Sequence, residues 1–212
     1  MAEGTLTIGN RRYSSWSMRG WLAVRLAGLD VAVAVLPMEE GVTPAIAALP
    51  SRLVPYLEYR GLALWETLAI AEYCAEQAPG LWPEAPAARA FARVVRAGMH
   101  AGFRALRQAM PMVLGREFPA VVPAAEVEAD IARIAALWAT ARERFGAGGP
   151  YLFGAFSLAD AMFAPVVARF LTYGVGAAPE YCAAIRTHPL VAEWYDDAAR
   201  EPWRLEKYER AR

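Results

Sequence analysis

The 212-residue sequence predicts a small α/β domain over residues 1–79, a linker over 80–88 and an all-helical domain over 89–212. Three observations carry that prediction. Up to residue 79, short β-branched runs alternate with segments of helical apolar spacing, the pattern of a sheet crossed by helices. "APGLWPEAPAA", residues 78–88, then holds three prolines and a glycine and breaks both periods. Beyond it the apolar spacing is helical and no segment reads as a strand.

Residues 5–9 read as the first strand. Residues 15–29 carry Trp21, Leu22, Val24, Leu26 and Leu29 at helical spacing, with Gly28 as a stop signal. Residues 31–38 form a second β-branched run, and a strand–helix–strand unit of this length implies parallel pairing. "TPAIAALPS" is a short helical turn with a proline near its start. Residues 56–59 and 62–65 are two short strands, with Arg60-Gly61 as a two-residue turn between them. Residues 67–77 are helical, so the order is β-α-β-α-β-β-α. Residues 88–114, 124–145, 157–172 and 188–200 then read as helices, separated by loops at 115–123, 146–156 and 174–180.

Bulk composition narrows the function classes. Hydrophobic residues make up 57%, much of it alanine, yet no uninterrupted apolar run reaches the roughly 20 residues that span a bilayer. The 22 basic and 22 acidic residues cancel, which argues against a nucleic acid or membrane surface held by bulk charge. "MAEGTLTIGN" lacks the charged start and apolar stretch of a signal peptide. Cys74 and Cys182 form no CxxC motif and no metal-ligand spacing with His100 and His188, so inert buried thiols are expected and no metal. A reduced, soluble, cytoplasmic protein is the expectation. Lys207 is the one lysine among the basic residues, which with the alanine content points to a GC-rich bacterial genome.

Four stretches carry the chemistry. "YSSWSMR", residues 13–19, puts two hydroxyls where the first helix begins. A helix N-terminus leaves N–H groups unpaired and adds partial positive charge. "LVPYL", residues 53–57, has a proline opening a strand, tolerated where no donor is needed. An X–Pro bond there can be cis, and an ordinary strand-opening proline is the plainer alternative. "WETLAIAEYCAE", residues 65–76, sets Glu66-Thr67 at a strand-to-helix junction. Thr67 can cap the helix, and a carboxylate beside unpaired N–H groups suits a ligand that carries both an ammonium and a carboxylate. A plain helix cap is the alternative. "FSLADAMFAP", residues 156–165, fits a capping box of Ser157 and Asp160, which makes Asp160 structural.

In this order and at these spacings, the four stretches make the chain resemble the cytosolic glutathione S-transferases over nearly its whole length. The resemblance implies a thioredoxin-like N-terminal domain, a helical C-terminal domain, a homodimer, and glutathione as co-substrate without a metal. It implies a cis Val54–Pro55 bond, pairing of the Val54 backbone with the cysteinyl part of glutathione, and a γ-glutamyl site at Glu66 and Thr67. "SSWS" is similar to "SSCS", the motif of the zeta class that includes maleylacetoacetate isomerases. That similarity points to Ser14 as the thiol-activating residue, with Ser15 as a second donor. Tyr13 is an alternative by likeness to tyrosine-type classes, and Arg19 matches an arginine at the same offset. A free thiol has a pKa of about 8.5, and lowering it by about two units is worth roughly 2.7 kcal/mol. A serine hydroxyl at a helix end can favour the thiolate without ionising. Trp16 departs from the cysteine of the zeta motif and argues against isomerase activity on maleylacetoacetate.

For the second substrate, Met99, Phe103, Leu106 and Met110 recur at helical spacing along one face of a single helix over 88–114. Met99, His100, Phe103 and Arg107 are expected to line a pocket for a small apolar electrophile, with core or dimer packing as the alternative. His100, Arg104 and Arg107 share another side, where they can hold a substrate carboxylate or pair with acids across a dimer. Arg169 is a similar candidate. "RLEKYERAR" reads as a solvated tail or a last helical turn, without chemistry. The expected function is a glutathione transferase of the detoxification type. The alternatives are a glutathione-dependent cis–trans isomerase and a non-catalytic glutathione-binding or regulatory protein of the same fold.

Overall fold

A computed structural model describes residues 2–119 and 122–209. The chain begins β1 (Gly4–Ile8), α1 (Ser15–Leu26), β2 (Val31–Val35), α2 (Pro44–Ala47), β3 (Tyr56–Tyr59), β4 (Leu62–Trp65) and α3 (Thr67–Gln77), the order expected from the sequence. The four strands form one sheet in the order β2-β1-β3-β4. β1 and β2 run parallel, as a strand–helix–strand unit requires, and the other pairs are antiparallel. Leu6 stands opposite Val33 on one side and Leu57 on the other. Leu6, Ile8 and Leu57 are sealed from solvent. Arg60 and Gly61 both take positive φ (48° and 80°), the two-residue turn whose twist matches its strands.

Helix α1 buries Met18, Trp21 and Leu22, and α3 buries Ile70 and Cys74 in the same core. Gly20 on α1 faces the segment before β3. A Cβ at that position would stand 2.6 Å from Pro55 Cγ, so the glycine is what lets the Val54–Pro55 corner lie against the helix. That peptide bond is cis, as the resemblance implies.

The remainder is helical: α4 (Pro86–Ala101), α5 (Arg104–Ala109), α6 (Ala125–Phe145), α7 (Leu158–Tyr173), α8 (Pro179–Thr187) and α9 (Pro189–Arg200), then a 3₁₀ turn at Glu206–Tyr208. The single helix expected over 88–114 is two helices. The backbone breaks at Gly102, where a Cβ would stand 2.7 Å from the Gly98 carbonyl oxygen, and at Phe103, which is left-handed with φ 57°. The apolar spacing hides this break because Met99, Phe103, Leu106 and Met110 are all buried on both sides of it. α8 begins at the end of the loop read over 174–180 and fills residues 181–187, which the sequence left unassigned, and α4 starts inside the segment read as linker.

Helix α7 is buried along almost its whole length. Trp138 of α6 packs on Phe163, Phe170 and Tyr181, with ring centroids 4.8–5.4 Å apart. Trp21 of α1 meets Trp194 of α9 at 5.4 Å, which ties the helical layer to the first helix. Asp160 Oδ2 accepts from the Ser157 N–H at 2.9 Å and the Ser157 hydroxyl at 2.8 Å. Its Oδ1 accepts from the Leu152 N–H and the Tyr181 hydroxyl, each at 3.1 Å. Burial nevertheless raises this carboxyl to about 6. Both cysteines are free and buried, and burial pushes the thiols of Cys74 and Cys182 up to about 12 and 11. No described helix is long and apolar enough to cross a membrane.

Candidate active site

Two cavities meet at Trp16 and Arg107. The smaller, about 320 Å³, is lined by Val54, Pro55, Glu66, Thr67 and His100 as well as the shared pair. The larger, about 1070 Å³, has Ser14, Ser15 and Arg169 in its wall.

The smaller cavity is built by β4 turning into α3. Glu66 is the N-cap of α3 with φ 66°, a left-handed conformation that costs a non-glycine residue and is held by its surroundings. Its carboxylate caps nothing, so it remains available to a ligand. The Thr67 hydroxyl, expected as a cap, is instead buried in the first turn with no hydrogen-bond partner. An orphaned buried hydroxyl costs free energy until a ligand satisfies it. His100 Nε2 lies 3.9 Å from Glu66 Oε2. Burial and the charges of Arg19, Arg96 and Arg107 outweigh Glu66 and hold His100 below its ordinary 6.5, hence neutral at pH 7.

The wall of the larger cavity starts at α1. Ser14 is its N-cap, and the hydroxyl accepts from the Ser17 N–H at 3.3 Å and donates to Ser17 Oγ at 2.7 Å. Ser17 Oγ also accepts from the Gly9 N–H, so it anchors the end of β1 to the helix start. Ser15 Oγ accepts from Arg169 Nη2 at 3.3 Å, which leaves the Ser15 hydrogen uncommitted. Arg169 is held by the carbonyls of Met110 and Pro165 at 2.8 and 2.9 Å, and burial beside Arg107 lowers it to about 10. Arg19 is 2% exposed, donates to the Met162 carbonyl at 2.8 Å, and lies over the Trp16 ring at 4.7 Å. Burial, then Arg169 and Arg107, lower it well below its ordinary value. Neither arginine enters an ion pair among the described residues. Positive potential is therefore concentrated, without compensation, at the start of α1.

The family model for the glutathione S-transferase N-terminal domain matches residues 13–77, and that for the C-terminal domain matches residues 124–197. The chain belongs to the glutathione S-transferase family. No curated protein sequence gives a significant match. Among solved structures, a Burkholderia glutathione transferase homolog with bound glutathione is similar at a TM-score of 0.69 and 21% identity, covering 95% of this chain and all of that one. A theta class glutathione S-transferase from Xanthomonas axonopodis pv. citri, with glutathione bound, is 26% identical at a TM-score of 0.64. It covers 92% of this chain and 98% of that one. An Omega 3C glutathione transferase from Trametes versicolor is 20% identical at 0.67, covering 92% and 89%.

In this transferase fold, the sequence-derived residues separate into two groups. Ser14, Ser15, Val54, Pro55, Glu66, Thr67, His100 and Arg107 line the paired cavities. Met99 and Phe103, expected on the electrophile side, are core residues that border neither cavity. The break at Gly102 and Phe103 ends the continuous face that would have carried them outward. Tyr13 is not poised as a thiol donor. Its hydroxyl donates to Glu209 and accepts from the Leu205 N–H at 3.1 Å, and burial with the Glu209 bond raises it to about 12. Of the C-terminal segment, residues 204–209 are described and form a packed last turn rather than a solvated tail, while 210–212 lie outside the described residues. Leu205 is buried, the Tyr208 ring lies tilted against Tyr13 with centroids 5.6 Å apart, and Lys207 and Tyr208 wall the larger cavity. The sequence hides this because the segment is rich in charge, and one partner of Glu209 is Tyr13, almost the full chain away.

Proposed function

We propose that the protein is a glutathione transferase that activates the glutathione thiol with the serine pair at the start of α1. On this reading, residues 1–79 hold glutathione and residues 89–212 shape the second cavity. The Val54 backbone at the cis-Pro55 corner takes the cysteinyl part. Glu66 takes the γ-glutamyl ammonium, and the Thr67 hydroxyl takes its carboxylate. Neutral His100 leaves Glu66 free for that role.

The observation that carries the reading is the Arg169–Ser15 contact. A buried, uncompensated guanidinium donates to Ser15, the member of the Ser14–Ser15 pair whose own hydrogen is free. A hydroxyl that accepts from a cation is a stronger donor to sulfur, and both groups favour a thiolate over a thiol. Ser14 can join once its hydroxyl pair with Ser17 reverses, since Ser17 Oγ can then donate to it. The thiolate attacks an electrophilic carbon in the larger cavity. A homodimer is supported by the exposed apolar side chains Leu62 and Trp65 on β4 and Val94 on α4.

The test is the ultraviolet thiolate absorbance of bound glutathione against pH, in wild type, Ser14→Ala, Ser15→Ala and Arg169→Met. The expected result is a thiol pKa near 6.5 in wild type, about two units below a free thiol, with Ser15→Ala and Arg169→Met moving it back up. Tight glutathione binding with an unshifted thiol in wild type would replace this reading with a non-catalytic glutathione-binding protein.

A further inference from the structure

Every charged residue lining the larger cavity is basic: Arg104, Arg107, Arg169 and Lys207. The chain as a whole has as many acidic as basic residues, so this lining is a local departure rather than a reflection of composition. The arginines are graded by depth. Arg104 is exposed, Arg107 is half-buried, and Arg169 is buried at the base beside Ser15.

Arg104 and Arg107 stand three residues apart on α5 and therefore on one side of it. Arg107 donates to the His100 carbonyl at 3.4 Å and lies 5.6 Å over the Trp16 ring. Among the described residues neither Arg104 nor Arg107 forms an ion pair. Asp130 of α6, the helix packed against α5, is spent on the Leu106 N–H.

A glutathione thiolate beside Ser15 offsets the charge of Arg169. It leaves Arg104 and Arg107 facing the same space. A neutral apolar electrophile would displace water from these two cations and return nothing, whereas a carboxylate satisfies both with charge-assisted bonds. We propose that the second substrate carries a carboxylate, held by Arg104 and Arg107 with its electrophilic carbon turned toward Ser15, an inference that rests on the transferase reading. The thiol proton passes to solvent. The sulfur lone pair then forms the C–S bond, and the leaving group departs with the electron pair of its own bond.

Matched probes test this: 4-chloro-3,5-dinitrobenzoate and its neutral carboxamide, both of which release chloride. Each rate is divided by the uncatalysed rate with glutathione, so that intrinsic reactivity cancels. Wild type is expected to favour the acid at least tenfold in kcat/KM, through KM more than kcat, with the preference shrinking at high salt. In Arg104→Gln the ratio falls toward one, and Arg104→Lys keeps part of it. The glutathione conjugates of both probes, made chemically, are titrated by calorimetry beside S-methylglutathione, so affinity is read whether or not turnover occurs. The acid conjugate is expected to bind at least tenfold more tightly than the amide conjugate. Equal or reversed preference in wild type, or a ratio unmoved by Arg104→Gln, overturns the carboxylate while leaving the transferase intact. Failure of S-methylglutathione to bind overturns the transferase reading and this inference with it.

Discussion

Arg169 sits at the base of the larger cavity with all three of its partners neutral: two carbonyls and the Ser15 hydroxyl. Removing its charge therefore takes away a term that the serine alone cannot supply, and Arg169→Met should cost more in kcat than in the KM for glutathione. Glu66 separates the other way. It is far from the serines in role, and its carboxylate is unused by the helix it caps. Glu66→Gln should weaken glutathione binding about tenfold, roughly 1.4 kcal/mol, with little change in the pKa of whatever thiol still binds. His100 adds a pH dependence whose sign follows from its lowered pKa. It is neutral through pH 7 and becomes a cation only below 6.5, where it pairs with Glu66 and competes for that carboxylate. Glutathione affinity measured by calorimetry should be flat from pH 7 upward and decline on the acid side, and His100→Gln should flatten that decline.

At the scale of the element, α1 does two tasks that a single substitution can set against each other. Gly20 to Ala raises intrinsic helix stability by about 1 kcal/mol, yet the new methyl would stand 2.6 Å from Pro55 Cγ. Overpacking of this kind typically costs about 1–3 kcal/mol, so Gly20→Ala should lower Tm rather than raise it. Because the displaced group is the Val54–Pro55 corner, the KM for glutathione should rise with it. Helix α7 depends on its first turn in the same concrete way. Asp160 takes four buried hydrogen bonds, at about 1 kcal/mol each, and Asp160→Ala should cost about 3 kcal/mol and lower Tm by about 10 °C. The pH dependence runs opposite to that of a surface carboxylate. Its folded pKa, about 6, is above the ordinary 3.8, so the folded state binds the proton more tightly than the unfolded chain does. Its contribution is full below about pH 4 and declines as pH rises through 6. Urea titrations across that window should show a shallower slope in Asp160→Asn than in wild type.

Over the whole molecule, two layers share one junction. α1 carries the serines, and α7 and the Met110 carbonyl hold the arginine that touches one of them. The N-terminal half was legible because its signals are local: β-branched runs, a two-residue turn, and a proline and a Glu-Thr pair at element boundaries. The cleft at Val54, Pro55, Glu66 and Thr67 came from those same boundaries. The larger cavity was legible in part: Ser14, Ser15, Arg104, Arg107 and Arg169 line it, whereas Met99 and Phe103 are buried away from it by a backbone break at Gly102 that leaves the apolar period undisturbed. Nor does periodicity reveal that Tyr13 is bound to Glu209, almost the full chain away. On the homodimer reading, the exposed Leu62, Trp65 and Val94 are covered by a second chain. Sedimentation equilibrium should give twice the 23.2 kDa chain mass, and Val94→Glu should shift it toward one chain.

The two buried cysteines have a practical corollary. Each thiol is sealed in the core and held far from its reactive thiolate form, at about 12 and 11. Alkylating reagents that consume glutathione would therefore spare the folded protein itself. A cysteine introduced at an exposed position such as Val122 would be selectively modified, so a fluorophore or spin label can be attached without first removing the native thiols.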